Sequence, residues 1–219
     1  MIGYNYFHLT EPTRGYNTLI WLNDLISAHQ TLRVIIPYTA DIFVFIFPIF
    51  LAFLYIKGIT KKSIEDKIVA LFIFFSGILS LGLNLFIQYF ADKQRPEGYI
   101  HHAGNLILSH IPDKSFPSDH VSLSMAIAVA TLLWGIKNKN KFFVKFGYFF
   151  LATTLIMAIS RVSVGVHRPT DVLASMVIGI LPALLLNSKN IFGLTKRYIY
   201  TPIITLEEII LKRFKKSKE

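Results

Sequence analysis

The stretch SRVSVGVHRPTD at positions 160–171 places an arginine, a histidine and a carboxylate within twelve residues. Long apolar runs precede and follow it, so its charged groups lie at the edge of a hydrocarbon layer, where charge is costly. An arginine can hold an anionic oxygen through two parallel hydrogen bonds, and a carboxylate near a histidine can orient the ring. The stretch therefore predicts a phosphate-binding site between two membrane-spanning helices.

The composition is that of an integral membrane protein. Of the 219 residues, 53% are hydrophobic and only 16% are charged, and the charges fall in clusters between the apolar runs. The net charge of +10 does not indicate nucleic-acid binding, because the basic residues lie in short segments between spans. The absence of cysteine excludes disulfides, thiolate metal ligands and a thiol nucleophile.

Five apolar stretches are long enough to cross a bilayer, which predicts an all-α polytopic helical bundle. We expect the spans at positions 34–56, 68–91, 117–136, 142–160 and 169–187, within a single membrane-embedded domain at 1–219 whose core is 34–187. Apolar residues at helical spacing predict an amphipathic interfacial helix at 18–29. The tail at 188–219 has interrupted apolar positions and a basic end, which predicts another interfacial helix and not a sixth span.

The basic residues are divided unequally between the two sides of a five-span chain. Sixteen of the 23 lysines and arginines belong to the connections after the first and third spans or to the tail, all on one side. The positive-inside rule makes that side cytoplasmic. The seven others include Lys93, Arg95 and Arg161. The segments with chemical character are therefore predicted to emerge on the extracytoplasmic face.

Two segments besides 160–171 bring polar groups to that face. Asn84 and Gln88 precede Arg95 at helical spacing, so we expect a polar helix face that leads to Arg95. The sequence PSDH at 117–120 begins the third span. Ser118 is suited to cap this helix, which would direct free amides and the positive helix end toward a phosphate.

The residue types in these segments suffice for phosphoryl transfer without a metal. One histidine can attack phosphorus while the other protonates the leaving oxygen, and arginines can hold the remaining phosphoryl oxygens. The first span carries a single charge, Asp41, which we interpret as an interior carboxylate hydrogen-bonded to a neighbour. The loop histidines match no common metal-ligand spacing, and we interpret them as solvent-facing or headgroup-facing: His101, His102 and His110.

The motif PSDH at 117–120, and Ser160-Arg161 followed by His167 and Asp171, resemble two signatures of the type 2 phosphatidic acid phosphatase superfamily of membrane lipid phosphatases. The resemblance covers about positions 88–171. It implies that His167 is the nucleophile that forms a phosphohistidine, that Asp171 orients it and that His120 is the general acid. It also implies a set of phosphate-binding residues: Arg95, Ser118 and Arg161.

Two positions depart from the usual signatures. The family usually has a lysine, six residues and then Arg-Pro, and this chain has Gln88 at the lysine position. Lys93 is a candidate to supply that charge. The second signature more often has glycine where Asp119 stands, and this carboxylate would either repel a second phosphate or steer Lys93 or Arg161. We include Gln88, Lys93 and Asp119 among the candidate phosphate-binding residues.

The aspartate form of the second signature resembles the bacterial undecaprenyl diphosphate phosphatases of the bacitracin-resistance type, which recycle the cell-wall lipid carrier. This resemblance implies a bacterial multi-pass protein of the cytoplasmic membrane, with its site on the periplasmic or extracellular face. It further implies hydrolysis of undecaprenyl diphosphate to undecaprenyl phosphate, with a membrane lipid as the substrate and with neither metal nor other cofactor.

Three alternatives remain open from the sequence. The same chemistry would serve phosphatidate, phosphatidylglycerol phosphate or a lipid A phosphate. It would also serve phosphotransfer from one lipid to another. A protein of a different class, a lipid transporter, would hold the phosphate without hydrolysing it, and loss of a nucleophile should leave its function intact.

Overall fold

The computed structural model describes residues 13–91, 93, 95, 96 and 114–216. The α-helices of the described part are α1 (Thr13–Ser27), α2 (Gln30–Asp41), α3 (Ile46–Thr60), α4 (Ile64–Phe90), α5 (Asp119–Lys137), α6 (Lys141–Ser163), α7 (Pro169–Asn187), α8 (Lys189–Thr195) and α9 (Thr201–Lys216). A 3-10 turn at Ile42–Phe45 joins α2 to α3, and a π-helical turn at Lys196–Tyr200 joins α8 to α9. The loop histidines at 101, 102 and 110 lie outside the described residues.

Five helical stretches are long and apolar enough to cross a membrane, which confirms the predicted all-α polytopic bundle. The first combines α2, the 3-10 turn and α3 into Gln30–Thr60, and the others are α4, α5, α6 and α7. The spacing predicted a helix face that continues from Asn84 and Gln88 to Arg95. In the structure the second span ends at Phe90, so this face stops before Arg95. Pro96 accounts for part of this difference, because the residue before a proline disfavours helical backbone.

Short turns with local caps connect the spans on the side opposite the candidate site. Ser63 caps α4 by accepting a hydrogen bond from the main-chain N–H of Asp66 at 3.1 Å. Asn140 caps α6 in the same way, with the N–H of Phe142 at 3.0 Å. These caps fix where α4 and α6 begin, and the tight turns make each helix antiparallel to the one before it.

Helix α5 is the centre of the bundle, where it packs against α4, α6 and α7. The crossing with α7 is close because Gly179 has no side chain, and a Cβ there would collide with the carbonyl oxygen of Ser122. The crossing with α6 is close at Gly147, whose added Cβ would lie 2.7 Å from Leu132. Small residues at helix contacts are typical of membrane bundles. Gly179 lets the start of α5 pack closely against the middle of α7.

Helix α1 covers the ends of α5, α6 and α7. Leu19 is fully buried in a cluster with Val121, Ala158, Val162 and Val172. The side-chain amide of Asn23 donates to the Ser163 carbonyl at the end of α6, at 2.9 Å. Leu25, by contrast, faces outward, so the apolar residues predicted to form one interfacial face are divided between the bundle and its surroundings.

The tail is packed onto the opposite end of the bundle. Tyr200 is fully buried, and the ring of Phe192 lies 5.8 Å from those of both Phe72 and Trp134. Lys67 of α4 is buried and pairs with Glu207 of α9 at 2.7 Å. Helix α9 is not among the candidate spans, which agrees with the prediction of no sixth span.

Candidate active site

His167 follows α6 because a glycine ends that helix. Gly165 has φ 80°, a left-handed conformation. The N–H groups of Gly165 and Val166 donate to the carbonyls of Val162 and Arg161, which is a Schellman motif. This turn directs the chain back to the bundle and leaves His167 2% exposed, two residues before α7.

The hydrogen bond of His167 defines which of its nitrogens can react. Its Nδ1 lies 2.7 Å from the main-chain carbonyl oxygen of Ser115. A carbonyl only accepts, so Nδ1 carries the proton, and in the neutral ring the lone pair is on Nε2. Burial, and then the positive charges of Arg161 and Arg95, lower the pKa of His167 well below its usual range. The imidazole is therefore neutral at pH 7, as a nucleophile requires.

Asp171 is the third residue of α7 and is fully buried. Its Oδ2 accepts from the hydroxyl of Ser115 at 2.6 Å and from the N–H of Arg168 at 2.9 Å, while Oδ1 pairs with Lys93 Nζ at 2.9 Å. The resemblance implied that this carboxylate orients His167. In the structure the connection passes through Ser115, whose hydroxyl is held by Asp171 and whose carbonyl holds the ring.

The start of α5 presents a free hydroxyl. Ser118 is the N-cap residue, as predicted, but its side chain makes no capping bond. Its main-chain N–H instead donates to the hydroxyl of Ser175 at 2.7 Å, and Ser175 in turn donates to the carbonyl of Asp171 at 2.6 Å. The Ser118 Oγ is buried and has no hydrogen-bond partner among the residues described. It is therefore available to a ligand.

The two positions that depart from the usual signatures contact each other. Nε2 of Gln88 donates to Asp119 Oδ1 at 2.9 Å and to the carbonyl of Pro117 at 3.1 Å. The amide of Asn84 also donates to Asp119 and to Pro117. Both amide hydrogens of Gln88 are thus used to hold the start of α5. This geometry gives Gln88 and Asp119 a supporting position, whereas we had included them among the phosphate-binding residues.

His120 and Arg161 meet at Asp41. Arg161 Nη1 donates to Asp41 Oδ1 at 2.7 Å, and His120 Nε2 lies 3.8 Å from the same oxygen. All three side chains are largely or fully buried. Asp41 was expected to be hydrogen-bonded to a neighbour, and that neighbour is Arg161, a predicted site residue. The Nε of Arg161 and the Nε2 of His120 have no hydrogen-bond partner in the described part of the chain.

The predicted site residues come together from four helix ends. Arg95 follows α4, His120 begins α5, Arg161 ends α6, and His167 and Asp171 begin α7. Two participants were missed by sequence reasoning. The charge of Asp41 within an apolar span was a signal, but nothing indicated its partner. Ser115 stands just before the PSDH motif and has no distinguishing pattern of its own.

The fold and site define a multi-pass membrane protein with a buried cluster of histidines, arginines and carboxylates at one end of its bundle. A model of the PAP2 superfamily matches residues 68–190. This match covers more than half of the chain, and the chain belongs to the PAP2 superfamily. The match begins inside the second span, continues through the fifth and includes the described site residues except Asp41.

Similar proteins come from several bacteria. Undecaprenyl-diphosphatase BcrC of Bacillus subtilis is 34% identical over 106 residues, 48% of this chain and 50% of that protein. The match with this curated relative thus spans about half of its length. The crystal structure of Aquifex aeolicus LpxE has a TM-score of 0.59 at 20% identity, over 80% of this chain and 96% of that one.

A second solved structure has the same fold. It is the first transmembrane PAP2 type phosphatidylglycerolphosphate phosphatase from Bacillus subtilis, with a TM-score of 0.59 and 17% identity. The match covers 87% of this chain and 90% of that one. At this identity the likeness concerns the fold alone.

Proposed function

We propose that this protein is a membrane phosphatase that hydrolyses undecaprenyl diphosphate to undecaprenyl phosphate. The observation that carries the chemistry is the neutral His167, whose reactive Nε2 is set by the Ser115 carbonyl and whose surroundings are cationic. The family membership supports phosphate ester or anhydride chemistry. The choice of substrate is supported by the 34% identity to an undecaprenyl-diphosphatase.

The first half-reaction transfers the terminal phosphoryl group to the protein. His167 Nε2 attacks the terminal phosphorus, so a P–N bond forms while the bridging P–O bond to the lipid phosphate breaks. His120 gives its proton to the leaving oxygen. Arg95, Arg161 and the free hydroxyl of Ser118 bind the three other phosphoryl oxygens.

The second half-reaction regenerates the site. A water molecule attacks the phosphohistidine, a P–O bond forms and the P–N bond breaks. His120 takes a proton from that water and returns to its starting state, and inorganic phosphate leaves. Throughout, the bond from Nδ1 to the Ser115 carbonyl keeps the ring oriented, and Asp171 holds Ser115 in place.

We place this reaction at the extracytoplasmic face of a bacterial cytoplasmic membrane. The lysine-rich turns between α3 and α4 and between α5 and α6 lie at the end of the bundle opposite the site. The tail adds more basic residues to that end. A lipid diphosphate exposed on the outer leaflet would reach the site without crossing the membrane.

The test is phosphate release by the purified protein in detergent with EDTA. Undecaprenyl diphosphate, phosphatidate and phosphatidylglycerol phosphate are compared for the wild type, His167→Ala and the control His29→Ala, an exposed histidine away from the site. We expect preference for the diphosphate and a loss of several orders of magnitude only in His167→Ala. Faster turnover of the glycerol lipids would change the substrate assignment.

Two other outcomes would overturn the reaction itself. Release by His167→Ala at the wild-type rate would exclude a phosphohistidine at this residue. An absence of release from all three lipids, in protein that still binds them, would indicate transport or phosphotransfer instead. Loss of activity in EDTA with recovery on adding magnesium would contradict the metal-free mechanism.

A further inference from the structure

Asp41 lies where the first span meets the candidate site, outside the segment that matches the family model. It is 2% exposed and forms a 2.7 Å ion pair with Arg161 Nη1, which also donates to the Ala40 carbonyl at 3.2 Å. A buried ion pair costs desolvation energy, and its contribution to stability alone is weak. One member of this pair, Arg161, binds the phosphate in the proposed reaction. A role of Asp41 in that reaction is therefore the more specific explanation.

The same carboxylate also faces His120. Its Oδ1 lies 3.8 Å from His120 Nε2. Its Oδ2 is buried and, like His120 Nε2, has no hydrogen-bond partner among the residues that the structure describes. Two complementary buried groups without partners are costly. A modest rotation of either side chain would join them while Oδ1 keeps its bond to Arg161.

A general acid must hold a proton until the leaving oxygen takes it. The positive charge of Arg161, which shares Asp41 with His120, opposes a protonated ring, whereas the carboxylate of Asp41, 3.8 Å from His120 Nε2, favours one. Asp119, next to His120 in sequence, is engaged by Gln88 and Asn84. Among the carboxylates of the described residues, Asp41 is the one within 4 Å of the His120 ring nitrogens.

We propose that Asp41 is a positioning residue that fixes Arg161 for the phosphate and keeps the proton on His120 for the leaving oxygen. This inference rests on the proposed phosphatase function. With Nε2 directed at Asp41, Nδ1 of His120 is the nitrogen that gives its proton as the P–O bond breaks and the P–N bond to His167 forms. Asp41 itself forms and breaks no covalent bond in this step.

The test uses leaving groups that differ in their need for a proton. Short-chain phosphatidate releases an alkoxide, which must be protonated, whereas p-nitrophenyl phosphate releases a phenolate, which need not be. We expect Asp41→Asn to lower kcat for phosphatidate by about tenfold or more and kcat for the aryl phosphate by much less. KM rises for both substrates, because Arg161 loses its anchor. Asp41→Glu, which keeps the charge, recovers part of the phosphatidate rate.

The measured quantity is the ratio of kcat for phosphatidate to kcat for p-nitrophenyl phosphate in one sample. This ratio does not depend on the folded fraction, so partial unfolding of Asp41→Asn cannot produce the expected result. His120→Asn should change this ratio in the same direction, and adding Asp41→Asn to it should change the ratio no further. Asp66→Asn, which breaks an ion pair with Lys57 at the far end of the bundle, is the charge-matched control and should leave the ratio unchanged.

Three outcomes would overturn the inference. An equal fall of kcat on both substrates, or an independent effect in the double variant, would reduce Asp41 to a structural ion pair. If neither Asp41→Asn nor Asp41→Glu folds, a structural role is likewise the conclusion. Phosphate release by the wild type from neither of these substrates nor from undecaprenyl diphosphate would instead refute the proposed function, and the inference with it.

Discussion

The side-chain amide of Gln88 donates a 2.9 Å hydrogen bond to the carboxylate of Asp119. The two positions where this chain departs from the usual family signatures therefore support each other. The amide in place of a lysine gives Asp119 a hydrogen-bond donor, and the pair anchors the first residue of α5 to the last turns of α4. Gln88 and Asp119 therefore form one structural feature, a hydrogen-bonded pair between α4 and α5.

We expect the two positions to be energetically coupled. Asp119→Gly leaves the amides of Gln88 and Asn84 buried without this acceptor, which should lower the free energy of unfolding by about 1–3 kcal/mol. Gln88→Leu should cost a similar amount. In the double variant the losses should be less than additive, with a coupling of about 0.5–3 kcal/mol. Thermal unfolding in detergent measures all three, and strict additivity would refute the coupling.

Gly165 is expected to tolerate no side chain without cost. Its φ of 80° is left-handed, where an alanine costs about 1–2 kcal/mol. Gly165→Ala should lower the melting temperature and reduce kcat, because His167 follows two residues later. Gly82→Ala is the matched control, since a Cβ at this exposed helical position meets nothing within 4 Å. Equal behaviour of the two variants would exclude the proposed role of the turn.

The lowered pKa of His167 predicts how stability depends on pH. Between the ordinary histidine pKa near 6.5 and the lower folded value, the unfolded chain binds a proton that the folded protein does not. Above about pH 7 the titration of His167 therefore does not change the free energy of unfolding. As the pH falls below about 7, it lowers the free energy of unfolding. The melting temperature should fall less from pH 7 to pH 5 in His167→Gln than in the wild type or in His29→Gln. A parallel fall in all three would contradict the lowered pKa.

The orientation can be tested with single cysteines, because the chain contains none. Ala28 lies in the exposed turn between α1 and α2, and Lys139 in the exposed turn between α5 and α6. A membrane-impermeant maleimide should label Ala28→Cys in intact cells and Lys139→Cys only after permeabilisation. The reverse pattern would place the site on the cytoplasmic side.

Much of the fold was predictable because long apolar runs have few alternatives to spanning a bilayer. The structure contains all five predicted spans, although the first is longer than predicted and the second ends at Phe90. The tail was less predictable. Its packing depends on single aromatic residues, Phe192 and Tyr200, whose ring partners in α4 lie more than 100 residues away in sequence.

The site was predictable to the extent that its residues occur in short motifs. His120, Arg161, His167 and Asp171 do, and the structure brings their helix ends together. Ser115 contributes through its main-chain carbonyl, which no residue type reveals. Asp41 is more than 100 residues from Arg161, and only the packing of α2 on α6 brings them into contact.

The lengths of α5 and α7 determine where the chemistry occurs relative to the lipid leaflet. Each helix has 19 residues, which corresponds to about 28 Å, no more than the hydrocarbon thickness of a bilayer. From these lengths we expect the site at their first turns to lie level with the glycerol and headgroup layer and not above it. A lipid could diffuse in sideways, lose a phosphate and diffuse away with its chain immersed throughout, so that catalysis becomes a two-dimensional encounter within one leaflet.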